Sequence, residues 1–285
     1  MLIELVNVSF TYLPGTSLEQ VALKDVDLKI GEGDFIGLIG PTGSGKSTLI
    51  QHLNGLLTPT QGRVLFEGKE IGKDVHPRLV REEVGLVFQF PESQLFADTV
   101  VDDVSFGPRN LGLSDKEARV RAKEAIESVG LDFNKFADRP PFSLSGGEKR
   151  LVAIAGVLAM RPRVLVLDEP VSGLDVRGKA KIMRILDELN KAGMTIIIAA
   201  HDMDEIAEHV GRIVVVNGGR VVLDGCPKVV FSELDTIKGI GLDLPKPVEV
   251  LLKLKECGFN ISVDSLSLKG VVSTILAAVK ERQCL

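Results

Sequence analysis

The sequence predicts an α/β fold: a mostly parallel sheet wrapped by helices, with an antiparallel β subdomain, a helical subdomain and a small C-terminal α/β extension. Three observations carry this. FIGLI (35–39), VGLVF (84–88), VLVLDEP (164–170) and TIIIAAH (195–201) are short apolar runs, as expected of parallel strands covered on both faces. Helical patterns separate them, which is the alternation of an α/β sheet. GPTGSGKST (40–48) follows the first run directly and precedes TLIQHL, so the phosphate-binding pattern G-x-x-x-x-G-K-[ST] sits where a strand should turn into a helix.

The remaining elements follow in order. Leu2, Glu4, Val6, Val8 and Phe10 alternate with Ile3, Leu5, Asn7 and Ser9, and Val26, Leu28 and Ile30 alternate again beyond the turn-rich LPGTS. Both stretches read as half-buried antiparallel strands. The helix behind the glycine-rich loop should end near Gly55, and TPTQGRVLFEG reads as a turn and a further antiparallel strand. From 89 to about 160 the strand signal is lost. Ser114 and Glu117 have capping-box spacing, and Ala118, Ala122, Ala125, Ile126 and Val129 follow at helical intervals, so this is a mostly helical insertion. RIVVVNGGRVV (212–222) predicts a hairpin around Asn217-Gly218-Gly219.

From about residue 236 the composition shifts. GIGLDLPKP is linker-like, and Val248, Leu251 and Leu252 follow it; Leu268, Val271, Val272, Ile275, Leu276 and Val279 then fit one amphipathic helix face. The chain therefore divides into 1–235, with its helical subdomain at about 90–160, and a small domain at 236–285. About fifty residues cannot bury that stripe well alone. The stripe should pack on the main domain or on another subunit, which makes the extension a candidate dimerisation element.

Composition narrows the function classes. Hydrophobic content of 45% and charged content of 26% describe an ordinary folded protein with a sizeable core. A net charge of −5, without a basic run, gives no electrostatic footprint for nucleic acid. Cys226, Cys257 and Cys284 are odd in number and lack metal-ligand or disulfide spacing, as reduced thiols in the cytosol would. The N-terminal MLIELVNVSFTY has no basic region ahead of a long apolar stretch, and no segment approaches the eighteen or so apolar residues of a membrane helix.

The chemistry gathers at three places. In the loop Gly40, Pro41, Thr42, Gly43, Ser44, Gly45, Lys46, Ser47, Thr48, the glycines Gly40, Gly43 and Gly45 let consecutive N–H groups turn inward around a polyphosphate at a helix N-terminus. Lys46 would reach the β- and γ-phosphates, and the Ser47 hydroxyl would ligate magnesium. At the end of VLVLDEP, Asp168 would hold the magnesium ion while Glu169 acts as general base on the attacking water. Ser145, Gly146 and Gly147 open a second helix start suited to an anion. One chain with one phosphate loop does not need two such cradles. The second makes sense if it serves the nucleotide of a partner subunit, so that two chains close head to tail over two ATP molecules.

These motifs together resemble the ATPase subunit of an ATP-binding-cassette transporter over about residues 1–230. The matching residues are GPTGSGKS, Gln89 after a buried strand, LSGGE (144–148), the acids at 168 and 169, SGLD (172–175) and His201 after a strand, in the family's order. The resemblance implies a phosphate-loop NTPase (RecA-like) fold, ATP and Mg2+ as cofactors, and an ATP-hydrolysing enzyme. It further implies that Tyr12 stacks on adenine, that Gln89 senses magnesium and the attacking water while relaying to the membrane partner, that Asp175 ties the two subunits together, and that His201 contacts the γ-phosphate. Glu148 departs from the commoner glutamine of this motif, and it should face away from the phosphates because its charge would repel them.

FQFPESQLFADTVVDDVSFGPRNLGLS (88–114) and GLDLPKPVEVLLKLKECGFNI (241–261) are similar to stretches of energy-coupling-factor and cobalt or nickel uptake ATPases. That similarity implies three partners: a second ATPase subunit, the same chain or a close paralogue; an integral membrane subunit docking near Gln89–Phe96, where Pro91, Leu95 and Phe96 would form an apolar groove; and a separate substrate-binding membrane subunit. It places the protein on the cytoplasmic face of the membrane. Rival readings fit less well. Repair ATPases of the superfamily carry coiled coils between loop and acid pair, whereas 122 residues without sustained heptads separate Lys46 from Asp168. Translation factors carry two cassettes on one chain. The guanine-reading N-K-x-D pattern of GTPases is absent.

Overall fold

The computed structural model describes residues 1–283 apart from positions 202, 205, 260 and 264, so Cys284 lies outside the described residues. Two sheets organise the chain. The smaller is antiparallel, in the order β2 (Gln20–Ile30), β1 (Ile3–Tyr12), β4 (Gln61–Phe66), β5 (Lys69–Glu70). Its strands run longer than the alternating stretches of the sequence, because β1 and β2 pair through several register shifts that break the strict period of two.

The larger sheet runs β10 (Arg220–Gly225), β9 (Arg212–Asn217), β3 (Phe35–Ile39), β8 (Thr195–Ala200), β7 (Val164–Asp168), β6 (Val84–Val87). From β9 to β6 every pairing is parallel, and β10 closes the edge as the antiparallel arm of the predicted hairpin. Both faces of this sheet are covered. Phe35 and Ile39 of β3 face one hydrophobic core, with helices; Ile36 and Leu38 face the other, shared with Leu23, Val26, Leu28 and Ile30 of β2. The period of two sends alternate side chains to opposite cores, which is why the buried strands read as uninterrupted apolar runs.

Helices α1 (Lys46–Leu53) and α2 (Pro77–Glu83) lie within the first hundred residues. The insertion carries α3 (Val100–Asn110), α4 (Asp115–Ser128), α5 (Phe133–Phe136) and α6 (Gly146–Leu158). As the spacing predicted, Ser114 caps α4 in a capping box, with Glu117 Oε2 accepting the Ser114 N–H at 3.0 Å. The chain then forms α7 (Val176–Lys191), α8 (Pro227–Val230) and α9 (Leu234–Gly239).

The extension forms α10 (Lys246–Glu256) and α11 (Leu268–Gln283). Among the described residues from 236 onward every element is a helix, whereas the sequence predicted an α/β unit. After α10 the chain turns at Gly258, in the left-handed region at φ +82°, and among the described residues beyond it no strand forms that a sheet could extend. Leu242, Leu244 and Val248 belong to the main core, while Leu251, Ile261, Val271 and Ala278 form a small core of their own. The predicted stripe of α11 divides accordingly. Val271 is buried, but Leu268, Val272 and Leu276 are more than half exposed.

Candidate active site at the sheet edge

The strand order brings the motifs together. Loops leaving the C-terminal ends of β3, β8, β7 and β6, four neighbours in the sheet, carry the glycine-rich loop, His201, Glu169 and Gln89. This is the edge at which an open α/β sheet presents its chemistry.

Each loop glycine has its own reason. A Cβ on Gly40 would lie 2.1 Å from the Val216 carbonyl oxygen. Gly45 has φ +109°, and a Cβ there would lie 2.6 Å from the Ala22 oxygen. Gly43, at φ +79°, turns the loop in open space. Gly45 is also the N-cap of α1 and brings no side chain to satisfy the helix's first N–H groups, so these stay available to an anion. Lys46 is 7% exposed, and its Nζ donates to the oxygens of Gly40 at 2.7 Å and Pro41 at 3.1 Å. Burial lowers its pKa, and the nearby Glu169 and Asp168 work against that lowering. Ser44 is buried and Thr42 exposed; Ser47, at the loop's end, hydrogen-bonds Asp168.

Asp168 closes β7 at 7% exposure. Burial raises its pKa, the Ser47 hydrogen bond lowers it, the neighbouring Glu169 raises it, and Lys46 lowers it least. A buried carboxylate beside a second acid, bonded to a hydroxyl, is a set of hard oxygen donors that gains from a small divalent cation. Of the residues expected to hold magnesium, Ser47 and Asp168 fit it, while Gln89 is hydrogen-bonded to Glu169, the residue after Asp168.

Glu169 adopts φ +51°, the left-handed region that a residue with a Cβ avoids at a cost of about 1–3 kcal/mol. Its N–H is tied to the Ala199 oxygen of the neighbouring strand at 2.9 Å. The turn throws the carboxylate between two partners: Gln89 Nε2 donates to Oε2 at 3.0 Å, and His201 Nδ1 lies 3.2 Å from Oε1. Each oxygen keeps a free lone pair, as a general base requires.

Tyr12, at the end of β1, sits 37% exposed above α1. Its hydroxyl pairs with Thr48 Oγ1 at 3.1 Å, and its ring packs edge-on against Phe10 at 4.8 Å; Phe10 in turn packs against His52 at 4.9 Å. His52 is wholly buried with Nδ1 2.7 Å from the Thr48 oxygen, and burial lowers its pKa. The ring is thus held at the mouth of the phosphate loop.

LSGGE lies away from this cluster, at the start of α6. Ser145 is its N-cap, and Glu148 folds back: Oε2 accepts the Ser145 N–H and hydroxyl, both at 2.8 Å. These bonds hold the Glu148 carboxyl below the usual range. Gly146 and Gly147 have ordinary helical angles, and a Cβ on either would meet nothing within 4 Å. Neither packing nor backbone conformation calls for glycine here. Asp175 caps α7, accepting the Gly178 N–H at 2.8 Å.

Arg150 was not singled out from the sequence. It is 4% exposed and donates through Nη1 to the oxygens of Pro170 at 3.2 Å and Ser172 at 2.6 Å, joining α6 to the segment after Glu169. Its apolar neighbours LVAIAG carried the signal, a basic side chain set into a buried helix face. A groove of about 670 Å³ is lined among others by Phe88, Leu95, Phe96, Phe106, Gly156 and Met160. Phe96 and Phe106 meet edge to face at 4.9 Å, 59% and 46% exposed. Pro91, expected on the groove surface, is buried instead and does not line the groove; it opens a short 3₁₀ turn, where a residue without an N–H leaves no donor to satisfy.

The family model described as "ABC transporter" matches residues 23–172. The chain is 45% identical, over 98% of its length and 99% of the relative's, to the energy-coupling factor transporter ATP-binding protein EcfA2 of Clostridium perfringens. Among solved structures it is similar to cbiO1 of Clostridium perfringens, part of the ABC transporter complex cbiONQ, with a TM-score of 0.74, 41% identity and coverage of 88% of this chain and 98% of that one. The dimeric ATP-binding cassette MJ0796, bound to ADP and Pi, aligns with a TM-score of 0.69 and 32% identity over 79% of this chain and 98% of that one. The phosphate loop, the acids at the end of β7 and the extent of these matches lead to one conclusion: the chain belongs to the ABC transporter family, as an ATP-binding, ATP-hydrolysing subunit.

Proposed function

We propose that this chain powers an energy-coupling-factor-type importer of a vitamin or a transition-metal ion, working as a peripheral subunit on the cytoplasmic face of the membrane. The observation that carries the reading is the extent of the likeness to EcfA2, which runs through the C-terminal extension as well as the nucleotide-binding part. Among the described residues no helix is long and apolar enough to cross a membrane, so a membrane partner must provide the path.

In this reading Tyr12 stacks on adenine, and the N–H groups of Gly40–Thr48 with Lys46 hold the phosphates. Ser47, Gln89 and Asp168 would hold magnesium, which would supply neutralisation of phosphate charge. Glu169 takes the proton of the attacking water, while Gln89 and His201 hold its carboxylate in place. Ser145, Gly146 and Gly147 of a second subunit, the same chain or a paralogue, close over the γ-phosphate, and Asp175 joins the two subunits. Binding the charge that develops on the transferred phosphate supplies most of the rate. Closure and reopening move a helix of the integral subunit seated in the groove at Leu95, Phe96 and Phe106. Gly156 supports that seat: it lies mid-helix at the groove, and a Cβ there would meet nothing of this chain. The half-exposed stripe of α11 serves dimerisation.

Co-purification from native membranes, with the partners identified by mass, tests this. Recovery of integral subunits, one of them binding a small solute, is expected; recovery with ribosomes or DNA instead would overturn it.

A further inference from the structure

Asp204 lies three residues beyond His201, and its carboxylate reaches the C-terminal extension. Oδ1 accepts the Lys246 N–H at 2.7 Å, and Oδ2 lies 3.5 Å from Lys246 Nζ. Lys246 is the first residue of α10. The residue before it, Pro245, has no side-chain oxygen with which to cap the helix. The first N–H groups of a helix lack intrahelical partners and carry partial positive charge, so a carboxylate there both satisfies a donor and favours the helix. Asp204 is therefore the N-terminal cap of a helix that starts 42 residues further along the chain.

The histidine segment and the extension are joined by packing as well. Met203, Ile206 and Ala207 are buried in the same core as Leu242, Leu244 and Val248. Between the two runs lies a cleft of about 530 Å³, whose lining includes His201 and the paired Asp204 and Lys246. At its other end the segment presents His201 to Glu169 at 3.2 Å. His201 lines that cleft, and among the described residues the segment meets α10 through the Asp204 carboxylate at Lys246 and through the core that holds Val248.

We propose that Asp204 is a positioning residue for His201: by capping α10 it fixes the histidine segment to the extension, and engagement of the γ-phosphate by His201 is transmitted to α10. This rests on the reading of His201 as a γ-phosphate contact. It gives the extension a part in hydrolysis distinct from dimerisation.

The test compares Asp204→Asn, which keeps an oxygen acceptor, with Asp204→Ala, which keeps none, and with His201→Ala, all in the full-length chain and the same assembly with Mg-ATP. Steady-state kinetics and amide hydrogen exchange across α10 are read for each. Asp204→Ala should lower kcat by about threefold to tenfold with KM for ATP within about twofold, and should speed exchange at the first amides of α10 about fivefold, the size of a lost N-cap. Asp204→Asn should recover at least half of the kcat. In a Glu169→Gln background, ATP should change α10 exchange, and Asp204→Ala should abolish that change. A native kcat in Asp204→Ala, or α10 exchange indifferent to ATP in the parent chain, overturns the proposal. If His201→Ala abolishes hydrolysis while Asp204→Ala is silent, the proposal alone falls; if His201→Ala turns over normally, both it and the reading of His201 fall.

Discussion

The two glycine-bearing helix starts, at Gly45 on α1 and at Gly146 on α6, serve the same expected ligand chemistry and are built in opposite ways. At α1 the chain itself demands glycine: a side chain on Gly40 or Gly45 would run into the backbone of Val216 or Ala22, and Lys46 and Asp168 are buried around the loop. At α6 nothing in the chain demands it. Each helical glycine there forgoes about 1 kcal/mol relative to alanine, and no contact within the chain explains the sacrifice. The first start is completed by folding. The second is left bare by this chain, as half of the shared site proposed above would be.

The sharpest test of the completed half is Glu169→Gln. Losing a general base lowers hydrolysis by about 10²- to 10⁴-fold, and the ATP-bound dimer should persist on size exclusion; near-native turnover would remove Glu169 from its role. Next comes the bare half. Gly147→Val should leave folding stability within about 1 kcal/mol, yet lower ATP-driven dimerisation and turnover by about 10²-fold, the scale of losing donors to transition-state charge. Unchanged turnover would break the comparison, because the bare surface would then have no ligand. Gly40→Ala should do the reverse and act on the fold. Overpacking against Val216 should destabilise the chain by about 1–3 kcal/mol, seen in thermal melting without nucleotide, and a native melting temperature would show that the loop yields.

The smallest effect is on pH. The Asp168 pKa is raised, so as pH falls through that raised value the carboxylate takes up a proton that competes with magnesium. The magnesium needed for ATP retention by Glu169→Gln should climb on acidification, approaching about tenfold per pH unit below that pKa. The climb should begin at a higher pH than an ordinary aspartate would give. By the same sign, a neutral Asp168 suits the nucleotide-free fold, which gains stability as that proton binds. A flat magnesium requirement down to mild acid would mean that Asp168 is not the ligand.

Much of this was legible in the sequence because its cause is local. The short apolar runs of β3, β7 and β8 carry their burial in their own residues, and Ser114 and Ser145 each find their glutamate three residues on. Glu148 is an instance: expected to face away from phosphate on grounds of charge, it is turned onto the Ser145 N–H by the spacing of the capping box alone. The residues that escaped notice act across distance in the chain. Arg150 reaches the carbonyls of Pro170 and Ser172, and Asp204 reaches Lys246, through contacts that no periodicity marks.

By itself the sequence determined the α/β architecture, the place of the phosphate loop between β3 and α1, and the family, since short-range pattern and backbone sterics suffice for these. Only the tertiary structure decided how the parts face one another. It set Glu169 in a left-handed turn between Gln89 and His201, divided the α11 stripe between burial and exposure, left the extension helical among its described residues, and left Gly146 and Gly147 open. Those outcomes depend on which distant backbone and side-chain groups are left to satisfy one another once the sheet has closed, and a linear pattern does not encode that pairing.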